Sequence, residues 1–390
     1  ALSPAVVGGS DATARAAAGG GGAATPRREL SGGGVPCFVA GQGGLKYWER
    51  CEEGPLAGGA GEGVHVPIDG KVTWACPVPG YGVALCDESR SLLRLWRRGG
   101  GTGNFTDVGL GPLKSPVGAV YLDGKVYVAC FGTWRTPRGD SGLAVVDVES
   151  GRLEAYHVYH GPSHVHNVYA FRWEGGTEIF VVSMGNPWIS PPRAGDGIVR
   201  FDRATGSFLK RTTKEPVSAR SVVQASEGVF YVLTQEERSR PTRLVRLELR
   251  GGSLSVAAET SLPARSGGDG GADVLLGDTP DSVICTDREQ GGGKIYHYTC
   301  RGGSFQAREV RSTGANPRYA TVLRGSGDIV VCNQDDATVQ VFPGLAKDPA
   351  SRADAVRTST LPVTQASFFM MSALIPAASP EASSPGAVYP

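Results

Sequence analysis

The chain holds only six histidines in 390 residues, and two of them, His164 and His166, stand two positions apart in the run GPSHVHN at 161–167. On an extended segment that spacing points both rings to one face. An imidazole near its ordinary pKa of about 6.5 exchanges protons at neutral pH, which suits general acid–base work. Cationic forks recur further on: Arg220 in SARS, Arg288 in TDRE and Arg318 in NPRY. Guanidinium groups grip phosphate or carboxylate bidentately and offset charge that grows on a carbonyl oxygen. Glu236, within QEE at 235–237, could orient an imidazole or hold an arginine fork; a register shifted by one puts Gln235 in its place. Together these groups fit a small anion held beside a general acid or base. Plainer roles exist for each. The histidines can satisfy backbone groups in a tight loop, the arginines can clamp neighbouring elements, and Asp335 with Asp336 reads as a turn. No metal is expected, because the histidine pair has no third ligand at matching spacing. No cofactor is expected either: the glycine runs at 19–22, 99–101 and 291–293 precede no helix that could cradle a phosphate.

Groups so far apart in sequence need a scaffold that gathers them, and the chain is periodic. An apolar run ending in a small or polar residue recurs as CFVAG (37–41), GVALC (82–86), VYVAC (126–130), IFVVS (179–183), FYVLT (230–234), VICTD (283–287) and IVVCN (329–333). The end residues Gly41, Cys86, Cys130, Ser183, Thr234, Asp287 and Asn333 are separated by 45, 44, 53, 51, 53 and 46 positions. Each run is followed by a polar loop and a second strand of alternating pattern, such as LLRLWRR, LAVVDVESG, IVRFDRATG or IYHYTCRGG. Alternation in β-branched and aromatic residues marks half-buried strands, and glycine supplies the positive φ of tight hairpins. No amphipathic helix of 12 or more residues is evident between 35 and 375. A period in the forties to fifties predicts an all-β, seven-bladed β-propeller with four-stranded antiparallel blades. The apolar stretch LPVTQASFFMMSALI at 361–375 is placed to complete blade 1 and close the ring. In that topology, residues just before a blade's inner strand, or just after its second strand, converge at one axial mouth, where a concave site is sought. His164 and His166, Arg220, Arg288, Glu236 and Arg318 all fall at such positions, in blades 4 to 7.

Composition sets bounds. Lys+Arg 39 against Asp+Glu 38 leaves a net charge of +1, which argues against a nucleic-acid partner bound through a basic field. No run of 18 apolar residues occurs, so no membrane-spanning helix is expected. The eight cysteines include no CxxC pair, and Cys86, Cys130, Cys285 and Cys332 sit in strand-like runs; buried reduced thiols and a cytoplasmic location are expected. Residues 1–34, rich in Ala and Gly with Arg15, Arg27 and Arg28, read as a flexible segment with the composition of an organelle transit peptide. Residues 376–390 read as a loose tail, leaving 35–375 for the propeller.

Several stretches resemble one family. SHVHNV in blade 4, ARSVV with YVLTQEE in blade 5, TDRE in blade 6, NPRYATVLRGSGDIVVCNQDDATVQVF in blade 7 and VYVACFG in blade 3 are similar to the lactonase propellers, which include 6-phosphogluconolactonases and carboxy-cis,cis-muconate cyclases. The likeness spans roughly 35–345. It implies a mouth lined by His164 or His166, Arg220, Glu236 or Gln235, and Arg288, and hydrolysis of a sugar-acid lactone. There are departures: Ser221 and Tyr319 stand where that family often has histidine, and Pro116-Val117-Gly118 replaces a Pro-x-His opening. Asp287-Arg288-Glu289 likewise replaces Asn-Arg-Gly. The residues leave three readings open. One is a lactonase acting on an anionic lactone, another a carboxymuconate-type lactonising cyclase, and the third an inactive propeller that serves as a platform for a protein partner.

Overall fold

A computed structural model describes residues 37–48, 63–99, 103–133, 139–161, 164–185, 195–210, 218–235, 241–263, 270–288, 292–323, 326–348, 356–360 and 370–373. These form seven four-stranded antiparallel sheets and no helix, arranged as a β-propeller. All belong to one unit, residues 34–390. The expectations for 1–34 and 376–390 lie outside the described residues, as does Glu236.

The seven apolar runs are the second strands of the seven blades. Those of blades 2 and 6, Gly82–Asp87 and Ser282–Arg288, are buried at every position. A neighbouring blade packs on each face, so the middle of each strand (VALC, VIC) carries no polar side and the polar residues fall at its ends. The outermost strand of blade 3, Arg152–Val158, alternates between exposed and half-buried residues instead. Seven hydrophobic clusters hold the blades together, each drawn from two adjacent blades. Between blades 4 and 5, Phe171, Trp173, Phe180 and Phe230 form a cluster of tilted and edge-on rings. Cys76, Cys86, Cys130, Cys285, Cys300 and Cys332 are buried in these seams as thiols rather than disulfides. Burial pushes the Cys76 thiol up to about 12, so it stays protonated and inert.

The inner strands of blades 2 to 7 are Val72–Val78, Pro116–Leu122, His164–Trp173, Ala219–Ser226, Gly270–Leu276 and Pro317–Leu323. Blade 1 takes its inner strand from the far end of the chain: Met370–Ala373 pairs antiparallel with Cys37–Gly41, from Cys37 opposite Ala373 to Ala40 opposite Met370. The ring is therefore closed by the C-terminal strand, as the pattern at 361–375 predicts. Each inner strand contacts the inner strands of the blades on both sides, so together they line the axis. Each starts opposite the end of its second strand (His164 faces Met184, Ala219 faces Thr234, Gly270 faces Arg288, Pro317 faces Asn333), so these chain ends share one axial face. Among the described residues no helix is long and apolar enough to cross a membrane.

Candidate functional site at the axial mouth

The residues expected in entry loops lie inside the inner strands, because strand pairing continues past them through a slip. In every inner strand from blade 2 to blade 7 the pairing shifts near the start: between Val72 and Trp74, Pro116 and Gly118, Val165 and Asn167, Ala219 and Ser221, Gly271 and Val274, and Pro317 and Tyr319. The residues passed over are Thr73, Val117, His166, Arg220 and Arg318, and in blade 6 Ala272 and Asp273 share one partner position. A β-bulge leaves its extra residue out of the ladder and re-aims the side chain. The same device, repeated blade by blade, re-aims His166, Arg220 and Arg318 in blades 4, 5 and 7, where blades 2 and 3 hold the smaller Thr73 and Val117 and blade 6 holds Ala272 with Asp273.

The bulge also separates the two histidines, so the one-face expectation from their spacing does not hold. His164 is fully buried; its Nδ1 is 2.8 Å from the Phe131 carbonyl oxygen and its ring stacks on Phe131 at 4.3 Å. It fastens blade 4 to blade 3. His166 keeps partial exposure and stands edge-on to the same Phe131 ring. Its Nε2 lies 3.4 Å from Nη1 of Arg220. Burial holds the His166 pKa well below the usual imidazole value, and the positive charges of Arg220, Arg318 and Arg288 push the same way. All three arginines thus act on one imidazole, which is neutral at pH 7.

Arg220 and Arg288 are nearly buried at 6% and 4% exposure. Nε of Arg220 donates to the Ala272 carbonyl of blade 6 at 3.2 Å, and Nη1 donates to Oε1 of Gln235 at 2.8 Å. Gln235 therefore occupies the position in which the shifted register would put it. Nε of Arg288 donates to the Gly270 carbonyl at 3.2 Å, and Nη1 of Arg318 to Oε1 of Gln334 at 3.0 Å. Asp335 and Asp336 accept from Asn316 and from the Ala315 amide, holding the turn expected of them.

Beside the slips, a set of side chains, of which the sequence reading names Ser221 and Tyr319 only as departures from a family pattern, joins neighbouring inner strands. An innermost strand has an open edge whose backbone groups need partners. Trp74 Nε1 donates to the Ala119 carbonyl. Tyr169 Oη accepts from the Val222 amide, Ser221 Oγ from the Val274 amide, and Asp273 Oδ2 from the Ala320 amide. Between blades 3 and 4 the approach is so close that a Cβ on Gly118 would meet Oδ1 of Asn167 at 2.2 Å. The rings of Trp74 and Tyr319, from blades 2 and 7, meet edge to face at 4.7 Å. Aligning the inner strands on their slip would show these positions as a set; residue type alone does not. Among the described residues no three His, Cys, Asp or Glu side chains stand together as metal ligands. The gathered groups suit an anion beside a neutral imidazole.

No protein-family model matches the chain, and no curated protein matches its sequence. Solved structures do share its fold. A candidate 6-phosphogluconolactonase from Bacteroides fragilis superposes with a TM-score of 0.60 at 12% identity, covering 88% of this chain and 99% of that one. A second candidate 6-phosphogluconolactonase, from Bacteroides uniformis, gives 0.60 at 13% identity over 86% and 99%. The WD40 repeats of RRP9 also match, at 0.52 and 12% identity over 76% and 83%. At such identities the likeness concerns the propeller fold.

Proposed function

We propose that the axial mouth binds a small organic anion and that the protein is a lactonase-type hydrolase. The observation that carries this reading is the convergence of Arg220, Arg288 and Arg318 on the single neutral imidazole of His166. In the free protein burial first, and then the three cations, hold that imidazole at low proton affinity. A phosphate or carboxylate bound by the arginines offsets their charge and lifts it toward the ordinary value, so the base becomes effective when substrate is present. The same anion draws on Nη1 of Arg220, whose contact with Nε2 is long at 3.4 Å, and leaves that lone pair for a water.

The reaction then runs as follows. Nε2 takes a proton from the water as its oxygen bonds to the lactone carbonyl carbon. The carbonyl oxygen gains negative charge, which the guanidinium groups stabilise. As the carbonyl reforms, the ring C–O bond breaks and the leaving oxygen takes the proton from Nε2. The new acid loses its own proton to solvent. His164 serves as a positioning residue through Phe131, while Glu236 remains a candidate partner for the arginine forks. The lactonising cyclase would use the same groups in the reverse sense. A protein-binding platform finds less support: the exposed large apolar residues among the described ones, Val64, Tyr156 and Val256, belong to blades 1, 3 and 5 and form no shared patch.

The test is turnover of a lactone panel that includes 6-phosphogluconolactone. His166→Ala is expected to lower the rate about 100-fold or more with little change in melting temperature, whereas His164→Ala lowers the melting temperature. A wild-type protein that turns over no lactone, or a His166→Ala variant of unchanged rate, sinks the proposal.

A further inference from the structure

His166 has cationic neighbours on three blades and a hydrocarbon neighbour on blade 3. Among the described residues the charged groups that act on it are Arg220 of blade 5, Arg288 of blade 6 and Arg318 of blade 7. Blade 3 sets the ring of Phe131 against it instead, with centroids 6.1 Å apart and planes at 84°. Phe131 is 4% exposed and follows directly on the second strand of its blade, Lys125–Cys130. It is fixed from both sides of the seam. Its amide donates to the Ser115 carbonyl of its own blade at 2.9 Å. Its carbonyl oxygen lies 2.8 Å from His164 Nδ1, and the His164 ring stacks on it at 4.3 Å, parallel within 7°. His164 thus grips Phe131 by backbone and by ring.

An imidazole turns about its last side-chain bond, and each half turn exchanges a nitrogen for a carbon at the same place. Only one setting serves the base. An arginine side chain has no acceptor, so Nη1 of Arg220 can only donate, and His166 Nε2 at 3.4 Å is the bare nitrogen. Nδ1 carries the proton and is shut off from solvent. Half a turn would carry Nε2 away from Arg220 and from a water bound beside it. Resting on the general-base reading above, we infer that Phe131 is a positioning residue for the proposed reaction: it fills the blade 3 side of His166 and holds Nε2 toward the arginines. The same wall keeps water off the imidazole, whose proton affinity is lowered by burial before charge.

Nitrogen NMR of the histidine side chains in the full chain tests this, with the His166 signals identified by their absence in His166→Gln. In the wild type those signals should show a bare Nε2 and a protonated Nδ1 without averaging. Phe131→Met removes the ring but keeps a large apolar side chain. It should raise the His166 titration midpoint by about one pH unit or more as water enters. It should also lower kcat on a lactone about 10-fold, with KM and phosphate affinity held within about twofold. Averaged nitrogens in the wild type overturn the inference without any variant, so it stays testable should Phe131→Met fail to fold. An unchanged midpoint overturns it too. So does a loss of phosphate binding along with the shift, which would make Phe131 a support of the whole mouth. A wild type that turns over no lactone sinks the proposed function, while the nitrogen spectra still decide whether Phe131 sets the ring of His166.

Discussion

At the residue scale, the fate of the two histidines turns on one unpaired position. His164 spends its Nδ1 on a neighbouring blade's carbonyl, and His166, carried by the bulge, faces three arginines. Their spacing in sequence suggests partnership, but alternation holds only while the ladder is regular, and a slip leaves no residue-type signature. The depressed pKa of His166 has a consequence for stability. In the unfolded chain the imidazole returns to about 6.5. Below that pH and above the folded value the unfolded state binds the additional proton, so stability rises with pH through this window and is lost as pH falls through the unfolded pKa. The melting temperature of the wild type should drop from pH 7.5 to 5.5 with a contribution from this group of up to about 1.4 kcal/mol per pH unit. His166→Gln should flatten that part of the profile; an identical slope in both proteins would refute the assignment. Bound phosphate should flatten it too, by raising the folded pKa.

At the element scale, the second strands were the most legible part of the chain. Burial on both faces leaves a mark in residue type, and GVALC, VYVAC or IVVCN can hardly be placed elsewhere. The inner strands were harder to read. Their starts hold His164, Arg220 and Arg318, polar residues that look like loop, so the pattern sets the strands two or three residues late. The reason is physical: the bulge keeps backbone pairing going while its side chain faces the axis, and the pairing is invisible in the residue string. Likewise the Glu236 position rested on a register that Gln235 fills where Arg220 can reach it. Gly118 shows what close packing of two such strands demands. Gly118→Ala would press a methyl group on both Oδ1 and the Cα of Asn167, next to His166, and one of those atoms is backbone. A cost of about 1–3 kcal/mol is expected in urea unfolding, together with weaker phosphate binding. A neutral outcome would mean that blades 3 and 4 can part without penalty.

At the scale of the whole molecule, period, blade number and closure all follow from the sequence because a propeller repeats one solution to the problem of burying a small sheet. Each blade covers its neighbours, so stability is shared round the ring and depends on its last joint. Met370–Ala373 makes that joint by pairing with Cys37–Gly41. Ending the chain at residue 369 should leave the edge of Cys37–Gly41 open, lower the melting temperature by more than any single substitution above, and promote association on size-exclusion chromatography. An unchanged monomeric profile and melting temperature would show that closure contributes little.

The slipped residue of each inner strand is exempt from the ladder that builds its blade. Its side chain can therefore be given over to the opening rather than to the ladder, as at His166, Arg220 and Arg318, or to a neighbouring blade, as at Thr73, whose hydroxyl donates to the Pro116 carbonyl. Placing a new side chain on blade 3, where Val117 is small and half-buried, would re-tool the mouth for another ligand without breaking a bond between blades.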